Sequence, residues 1–262
     1  LAVVAAALGQ LFFGGCQLGA LQLQILGISG LQGGAHRCNR AVAYRFHRLL
    51  RRRGRMDALL RDVWNGQLKP LYNFMQDLPD LQGTTLPFLP AYVIRKMAGA
   101  PTSFDAGRGC PFQCSFCTII NVQGRKSRYR TPDDVEQLIR LNAENGINRF
   151  FITDDNFARN TNWENILDRM IHLREHEGIH FKVVLQVDTL CYRLPGFIEK
   201  AARAGCSRVF IGLENIDPDA LATAKKLQNK IWEYRTMLQA WKAAGVITYA
   251  GYILGFPYDT PE

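Results

Sequence analysis

The first 56 residues hold no aspartate, no glutamate and no lysine, and no charge of any kind stands before Arg37. Eight arginines, ending in the dense stretch from Arg45 to Arg55, give this segment a charge of +8. Residues 57–262 carry 24 basic and 23 acidic side chains, a balance of +1. The overall +9 is therefore local to the amino-terminal segment and gives no global argument for nucleic-acid binding. An unbroken membrane-length apolar run is also missing. Gln10, Gln17, Gln22, Gln24 and Gln32 interrupt the uncharged stretch, so a membrane anchor flanked by arginines is an alternative and not the favoured reading. A signal peptide would place its basic residues first, and here they come last. The seven cysteines, Cys16, Cys38, Cys110, Cys114, Cys117, Cys191 and Cys206, are odd in number. Three of them cluster, which suits metal binding in a reducing cytoplasm better than a disulfide framework. With Leu1 at one end and a strand and turn before Glu262 at the other, a piece of a longer protein is expected.

What the chain does have is Arg108-Gly109-Cys110-Pro111-Phe112-Gln113-Cys114-Ser115-Phe116-Cys117, three cysteines spaced C-x3-C-x2-C on a loop that opens with glycine. Thiolates are the ligands of iron–sulfur clusters, and three of them leave one iron of a four-iron cluster open to a further ligand. A structural zinc knot, or unrelated buried thiols, is the alternative. The spacing, with Phe116 just before the last cysteine, resembles the signature of the radical S-adenosylmethionine (SAM) superfamily. The resemblance implies that Cys110, Cys114 and Cys117 hold a [4Fe–4S] cluster whose fourth iron is chelated by the amino and carboxylate groups of SAM. It also implies that the reduced cluster cleaves SAM to methionine and a 5′-deoxyadenosyl radical.

Downstream, four helices end at a glycine and hand over to an apolar run: Gly146 to Phe150–Ile152, Gly178 to Val183–Leu185, Gly205 to Val209–Ile211, and Gly245 to Val246 and Ile247. Glycine supplies the left-handed residue that ends a helix, and continuous apolar runs suit parallel strands covered on both faces. Thr131-Pro132-Asp133-Asp134 reads as a cap, an N1 proline and first-turn acids. Thr161-Asn162-Trp163-Glu164 reads as a capping box, followed by a core stripe of Trp163, Ile166, Leu167, Met170 and Ile171. With an opening strand near Ser103–Ala106, the pattern predicts an α/β fold, a parallel (βα) partial barrel of the radical SAM type with about five of six units present.

Chemistry in such folds sits at the carboxyl ends of strands. Asp154, Asp155 and Asn156 follow the second strand, and the two adjacent carboxylates suit an ammonium group. Gln186 and Asp188 project on one side after the third, and Cys191 behind them reads as a plain buried thiol. By resemblance, Asp154–Asn156 lie where the family contacts the methionine amino group, and Glu214 would bind the SAM ribose. Ile253 and Gly255, in a G-x-I-x-G-like element, would pack the adenine. The cofactor-binding set is thus Phe116, Asp154, Asp155, Asn156, Gln186, Asp188, Glu214, Ile253 and Gly255.

The expected organisation is a cobalamin-binding-like remnant at 1–56, a connector at 57–101 and a radical SAM core at 102–262. Leu26–Leu31 followed by Ala41–Arg53 resembles the strand and helix of the cobalamin-binding domain that precedes the cluster in many family members. The family's cobalt-ligating D-x-H-x-x-G is absent, since no aspartate precedes Asp57, so cobalamin is expected of a full-length parent more than of this chain. In the connector, Leu59, Leu60, Val63 and Trp64 form one helical face ended by Gly66, and Pro70, Pro79, Pro87, Pro90 and Pro101 break the rest into extended pieces. The resemblance implies a small-molecule substrate and a flavodoxin- or ferredoxin-like electron donor. The basic run Arg125–Arg130 leaves RNA open as a partner, and a methylthiotransferase or a non-catalytic iron–sulfur protein are the rival functions.

Overall fold

The computed structural model describes residues 55–71, 78, 80–84, 86–87, 91–96, 101–256 and 259. The expected Leu26–Leu31 strand, the Ala41–Arg53 helix, Cys16, Cys38, Pro79, Pro90 and Pro257 lie outside them. Two compact units divide at residue 74. The first contains helix α1 (Arg55–Trp64), closed by Gly66 at φ 71° as its sequence predicts. Leu59, Leu60 and Val63 are half-buried on it, whereas Trp64, expected on the same packed face, is 77% exposed.

The second unit starts with the short helix α2 (Ala91–Lys96) and strand β1 (Thr102–Phe104). Two-residue strands β2 (Gly107–Arg108) and β3 (Arg128–Tyr129) enclose the cysteine loop and helix α3 (Ile119–Val122). Then come α4 (Pro132–Ala143), β4 (Arg149–Ile152), α5 (Trp163–Glu175), β5 (Lys182–Val187), α6 (Phe197–Arg203), β6 (Cys206–Glu214), α7 (Pro218–Thr223), α8 (Tyr234–Ala243) and β7 (Ile247–Tyr252). The main sheet runs β1-β4-β5-β6-β7 with every neighbouring pair parallel, the expected partial barrel of five strands. Because all five strands point one way, the segments that follow them gather at a single end of the sheet.

The helices form where their end signals stand. Thr131 Oγ1 accepts from Asp134 N at 3.1 Å while Asp134 Oδ2 accepts from Thr131 N at 3.2 Å, a full capping box ahead of Pro132. The capping box expected at Thr161–Glu164 does not form. Asn162 is the cap residue and makes no capping bond; its N–H is taken by Asn160 Oδ1 at 2.9 Å and its amide reaches Arg130 O. The stripe behind it does pack as expected, with Ile166, Leu167, Met170 and Ile171 buried against the sheet. Phe150 on β4 lies between Phe104 and Phe181, at ring-centroid distances of 5.7 and 6.0 Å. Burying side chains of this size stabilises the fold by about 1.5–3 kcal/mol each.

Candidate functional site

The three clustered cysteines sit on the loop between β2 and α3. Its base is closed by the β2–β3 ribbon, in which Gly107 pairs with Tyr129 and Arg108 with Arg128. Inside the loop, Cys110 N donates to Gly124 O at 3.2 Å and Cys117 N to Cys114 O at 3.1 Å. From outside, Ser115 N donates to Ala224 O at 2.9 Å. Gly109 has φ +96°, and a Cβ there would run into the Lys126 backbone carbonyl, so the turn requires glycine. All three thiols are free of disulfides. Burial pushes the Cys110 and Cys117 thiols above their usual range, so ligation of a metal must displace protons from them.

The donor set fits an iron–sulfur cluster. Among the described residues no three His, Cys, Asp or Glu side chains converge closely enough to hold a single ion. A four-iron cluster takes one thiolate per iron and spreads its ligands. The other two described cysteines are of a different kind: burial drives both Cys191 and Cys206 up to about 12, leaving inert core thiols.

The segment after β4 grips the cysteine loop from below. Asp154 Oδ1 accepts from Ala106 N and Gly107 N, and Asp154 Oδ2 accepts from Asn160 Nδ2 at 3.0 Å. Both Asp154 oxygens thus face protein donors, and its burial raises the carboxyl to about 7. Asp155 Oδ2 accepts from Gly109 N at 2.7 Å, directly ahead of Cys110. Burial raises its carboxyl too, while Arg108 and Arg128 pull it back. Asn156 Nδ2 donates to Asp188 Oδ2 at 3.0 Å, and its buried Oδ1 has no hydrogen-bond partner.

Gln186 and Asp188 both reach this segment, as their common side on β5 predicts. Gln186 Nε2 donates to Asp154 O at 3.2 Å. Asp188 is held in two-pronged fashion by Arg159, Nε to Oδ2 at 2.6 Å and Nη2 to Oδ1 at 2.8 Å. Burial opposes the charge on Arg159, but the Asp188 carboxylate outweighs it and raises the guanidinium. Arg159 then lies over Phe112 of the cysteine loop, 5.5 Å from the ring centroid.

At the end of β6, Glu214 adopts φ +63° and forms a buried ion pair with Lys226. Lys226 Nζ stands 5.7 Å from the centroid of Phe116, and the Phe116 ring packs against Phe256 at 5.9 Å with a tilt of 54°. Ile253 N donates to Glu214 O at 2.8 Å, which brings the β7 end beside it. Gly255 N donates to Asp259 Oδ2 at 2.7 Å. Lys226 thus links Glu214 to Phe116 of the cysteine loop, Ile253 lies beside Glu214, and Gly255 belongs to the turn that follows.

Three polar residues of this end are not signalled in the sequence: Arg159, Lys226 and Gln228. A buried carboxylate needs a cation, and that rule applied to Asp188 and Glu214 points to the nearby Arg159 and Lys226. The basic run turns inward in part. Arg130 is buried against Asp105, Arg128 Nη2 donates to Gln123 O at 2.8 Å, and Arg125 reaches Pro111 O.

A parallel partial barrel with a three-cysteine loop after its first strand and polar groups at its strand ends defines a class of cofactor-dependent α/β domain. The model of the radical SAM superfamily matches residues 105–262, and the chain belongs to that superfamily. The superfamily works with a [4Fe–4S] cluster and SAM. The chain is 26% identical over 209 residues to the hopanoid C-2 methylase of Rhodopseudomonas palustris, covering 79% of this chain and 40% of that protein. It is 31% identical over 161 residues to the bacteriochlorophyllide d C-12(1)-methyltransferase of Chlorobaculum tepidum, covering 60% and 34%. It spans about two fifths or less of these curated relatives. Among solved structures, TsrM of Kitasatospora setae, a radical SAM methyltransferase with cobalamin and a [4Fe–4S] cluster bound, shares the fold at TM-score 0.55 and 21% identity, over 62% of this chain and 32% of that one. The cobalamin-dependent radical SAM enzyme OxsB with cobalamin and SAM bound matches at TM-score 0.52 and 15% identity, over 80% and 32%. Among the described residues no helix is long and apolar enough to cross a membrane.

Proposed function

We propose that residues 102–262 are the core of an enzyme that binds a [4Fe–4S] cluster through Cys110, Cys114 and Cys117, binds SAM at the open iron, and serves methyl transfer to a small molecule. The observation that carries this reading is the grouping of three free thiols with the partnerless buried Asn156 Oδ1 at one end of the sheet. An orphaned buried acceptor is costly, and an ammonium donor would satisfy it. Asn156 Oδ1 is therefore the acceptor for the SAM amino group, with Asp155 as its nearby negative charge. Glu214 accepts from the ribose hydroxyls, and Phe116, Ile253 and Gly255 form the wall around the adenine. Asp154, Gln186 and Asp188 act one layer behind, holding the 154–156 segment and Arg159 in place.

When bound and reduced, the cluster supplies the electron that breaks the sulfonium C–S bond of SAM. The chain's own part is to orient the methionine and adenosine ends, keep water out, and present the substrate. The names of the relatives support methyl transfer, and the cobalamin-bound fold neighbours support a cobalamin step in the full-length enzyme. Residues 1–56 would be part of its cobalamin-binding region and 57–101 the connector. Free thiols and a reducible cluster suit the cytoplasm and a flavodoxin- or ferredoxin-like donor. The inward-turned Arg128 and Arg130 favour a small molecule over RNA as substrate.

Anaerobic incubation of the reconstituted protein with dithionite and SAM tests the reading. Cleavage products of SAM, released by wild type and lost in Cys114→Ala, are expected. A fully iron-loaded wild type that leaves SAM intact contradicts it.

A further inference from the structure

We infer that Gln228 tunes the reduction potential of the cluster by donating a hydrogen bond to one of its thiolates. Gln228 Nε2 donates to Cys114 Sγ at 3.4 Å, and the two side chains are buried, at 9% and 8% exposure. Cys114 is the middle cysteine of the loop, and Gln228 stands 114 residues further along the chain, in the segment after α7.

That segment is fixed on several sides, so the donor is held in place. Asn229 Nδ2 donates to Gly212 O at 3.0 Å and to Leu213 O at 2.7 Å, pinning the segment to β6. Thr189 Oγ1 donates to Gln228 O at 3.3 Å and to Asn229 Oδ1 at 3.1 Å, pinning it to the end of β5. Lys226, two residues earlier, is paired with Glu214 and faces Phe116. Ala224 O accepts from Ser115 N at 2.9 Å, so the same segment meets the cysteine loop at Ser115, Phe116 and Cys114.

One-electron reduction adds negative charge to a cluster, and part of it resides on the coordinating sulfurs. An N–H aimed at a thiolate stabilises the reduced form more than the oxidised one and raises the potential. Burial strengthens this effect, because little water competes for the sulfur. Gln228 makes the cluster easier to reduce and is a positioning residue in this sense.

The inference rests on the cluster assignment proposed above, and its test separates the two. Wild type, Gln228→Leu and Gln228→Glu are reconstituted anaerobically, iron per chain is measured, and the cluster is titrated by EPR without SAM. Leucine removes the donor at similar volume, and glutamate replaces it with an acceptor of the same shape. Both variants are expected to keep their iron and to show a more negative midpoint. For Gln228→Leu the ratio of reduced to oxidised cluster at a fixed potential should fall about fivefold, the weight of one ordinary net hydrogen bond. Gln228→Glu should shift at least as far. A variant that keeps its iron with an unchanged midpoint overturns the inference, as does loss of iron from both variants, which would make Gln228 a packing residue. A wild type without iron would instead overturn the cluster assignment itself.

Discussion

Asp154 and Ala106 lie 48 residues apart in the chain and are joined by a 2.7 Å hydrogen bond from Ala106 N to Asp154 Oδ1. The same oxygen accepts from Gly107 N at 2.7 Å, so the end of β4 holds the strand that leads into the cysteine loop. A Cβ on Gly107 would stand 2.6 Å from Asn160 Nδ2 and 2.9 Å from Asp154 Oδ2, so a side chain there would have to displace that hydrogen-bonded pair.

Burial lifts the Asp154 carboxyl from its ordinary 3.8 to about 7, against the pull of Asn160, Gly107 and Ala106. Between those two values the folded chain holds a proton that the unfolded chain has released. The contribution to stability is therefore fully present below the ordinary value and is lost as pH rises through about 7. Urea unfolding of the wild type should show a midpoint that declines from pH 5 to pH 8. In Asp154→Asn that decline should flatten; an equally steep slope in the variant would refute the assignment.

Gly109→Ala should abolish cluster binding while leaving the sheet folded. The new methyl collides with the Lys126 carbonyl, and the positive φ adds strain of roughly 1–2 kcal/mol. Far-UV circular dichroism like that of the wild type, with iron per chain close to zero, is the expected pair of readings. Full iron loading would show that the loop tolerates another turn.

The Glu214–Lys226 pair gives a double-mutant test. Removing either partner alone strands a buried charge, and Glu214→Gln or Lys226→Met should each destabilise by about 3–5 kcal/mol. The combined variant should recover much of that loss and still bind SAM weakly, because the acceptor proposed for the ribose is gone. Additive stability losses across the cycle would mean that the two side chains act separately.

Arg159→Lys keeps the charge but loses the two-pronged grip on Asp188 and the flat contact with Phe112. A loss of about 1–2 kcal/mol in unfolding free energy is expected, along with faster iron release into a chelator. Wild-type iron retention would detach Arg159 from the loop.

Much of the fold is legible in the chain because its signals are local. Glycines at 146, 178, 205 and 245 end helices, and the apolar runs after them become β4 to β7. The ribbon of β2 and β3 is not legible, since two-residue strands carry no period. Thr161 has the look of a cap, yet the preceding Asn160 takes the Asn162 N–H and moves the helix start by one residue. At the site, the cysteine spacing and the Asp154-Asp155-Asn156 run stand out, and the structure brings Gln186, Asp188 and Glu214 to the same end. Arg159, Lys226 and Gln228 escape a linear reading because their partners lie 29, 12 and 114 residues away. Nothing adjacent in sequence marks a lysine or glutamine as the neighbour of the cysteine loop.

The most direct test of the central claim is the low-temperature EPR spectrum of the anaerobically reconstituted, dithionite-reduced protein, recorded with and without SAM beside an iron count. Three thiolates and one open iron imply about four irons per chain, and a signal whose shape changes when SAM occupies the open site. Cys114→Ala should lose both. A four-iron signal indifferent to SAM, or zinc in place of iron, would contradict the account.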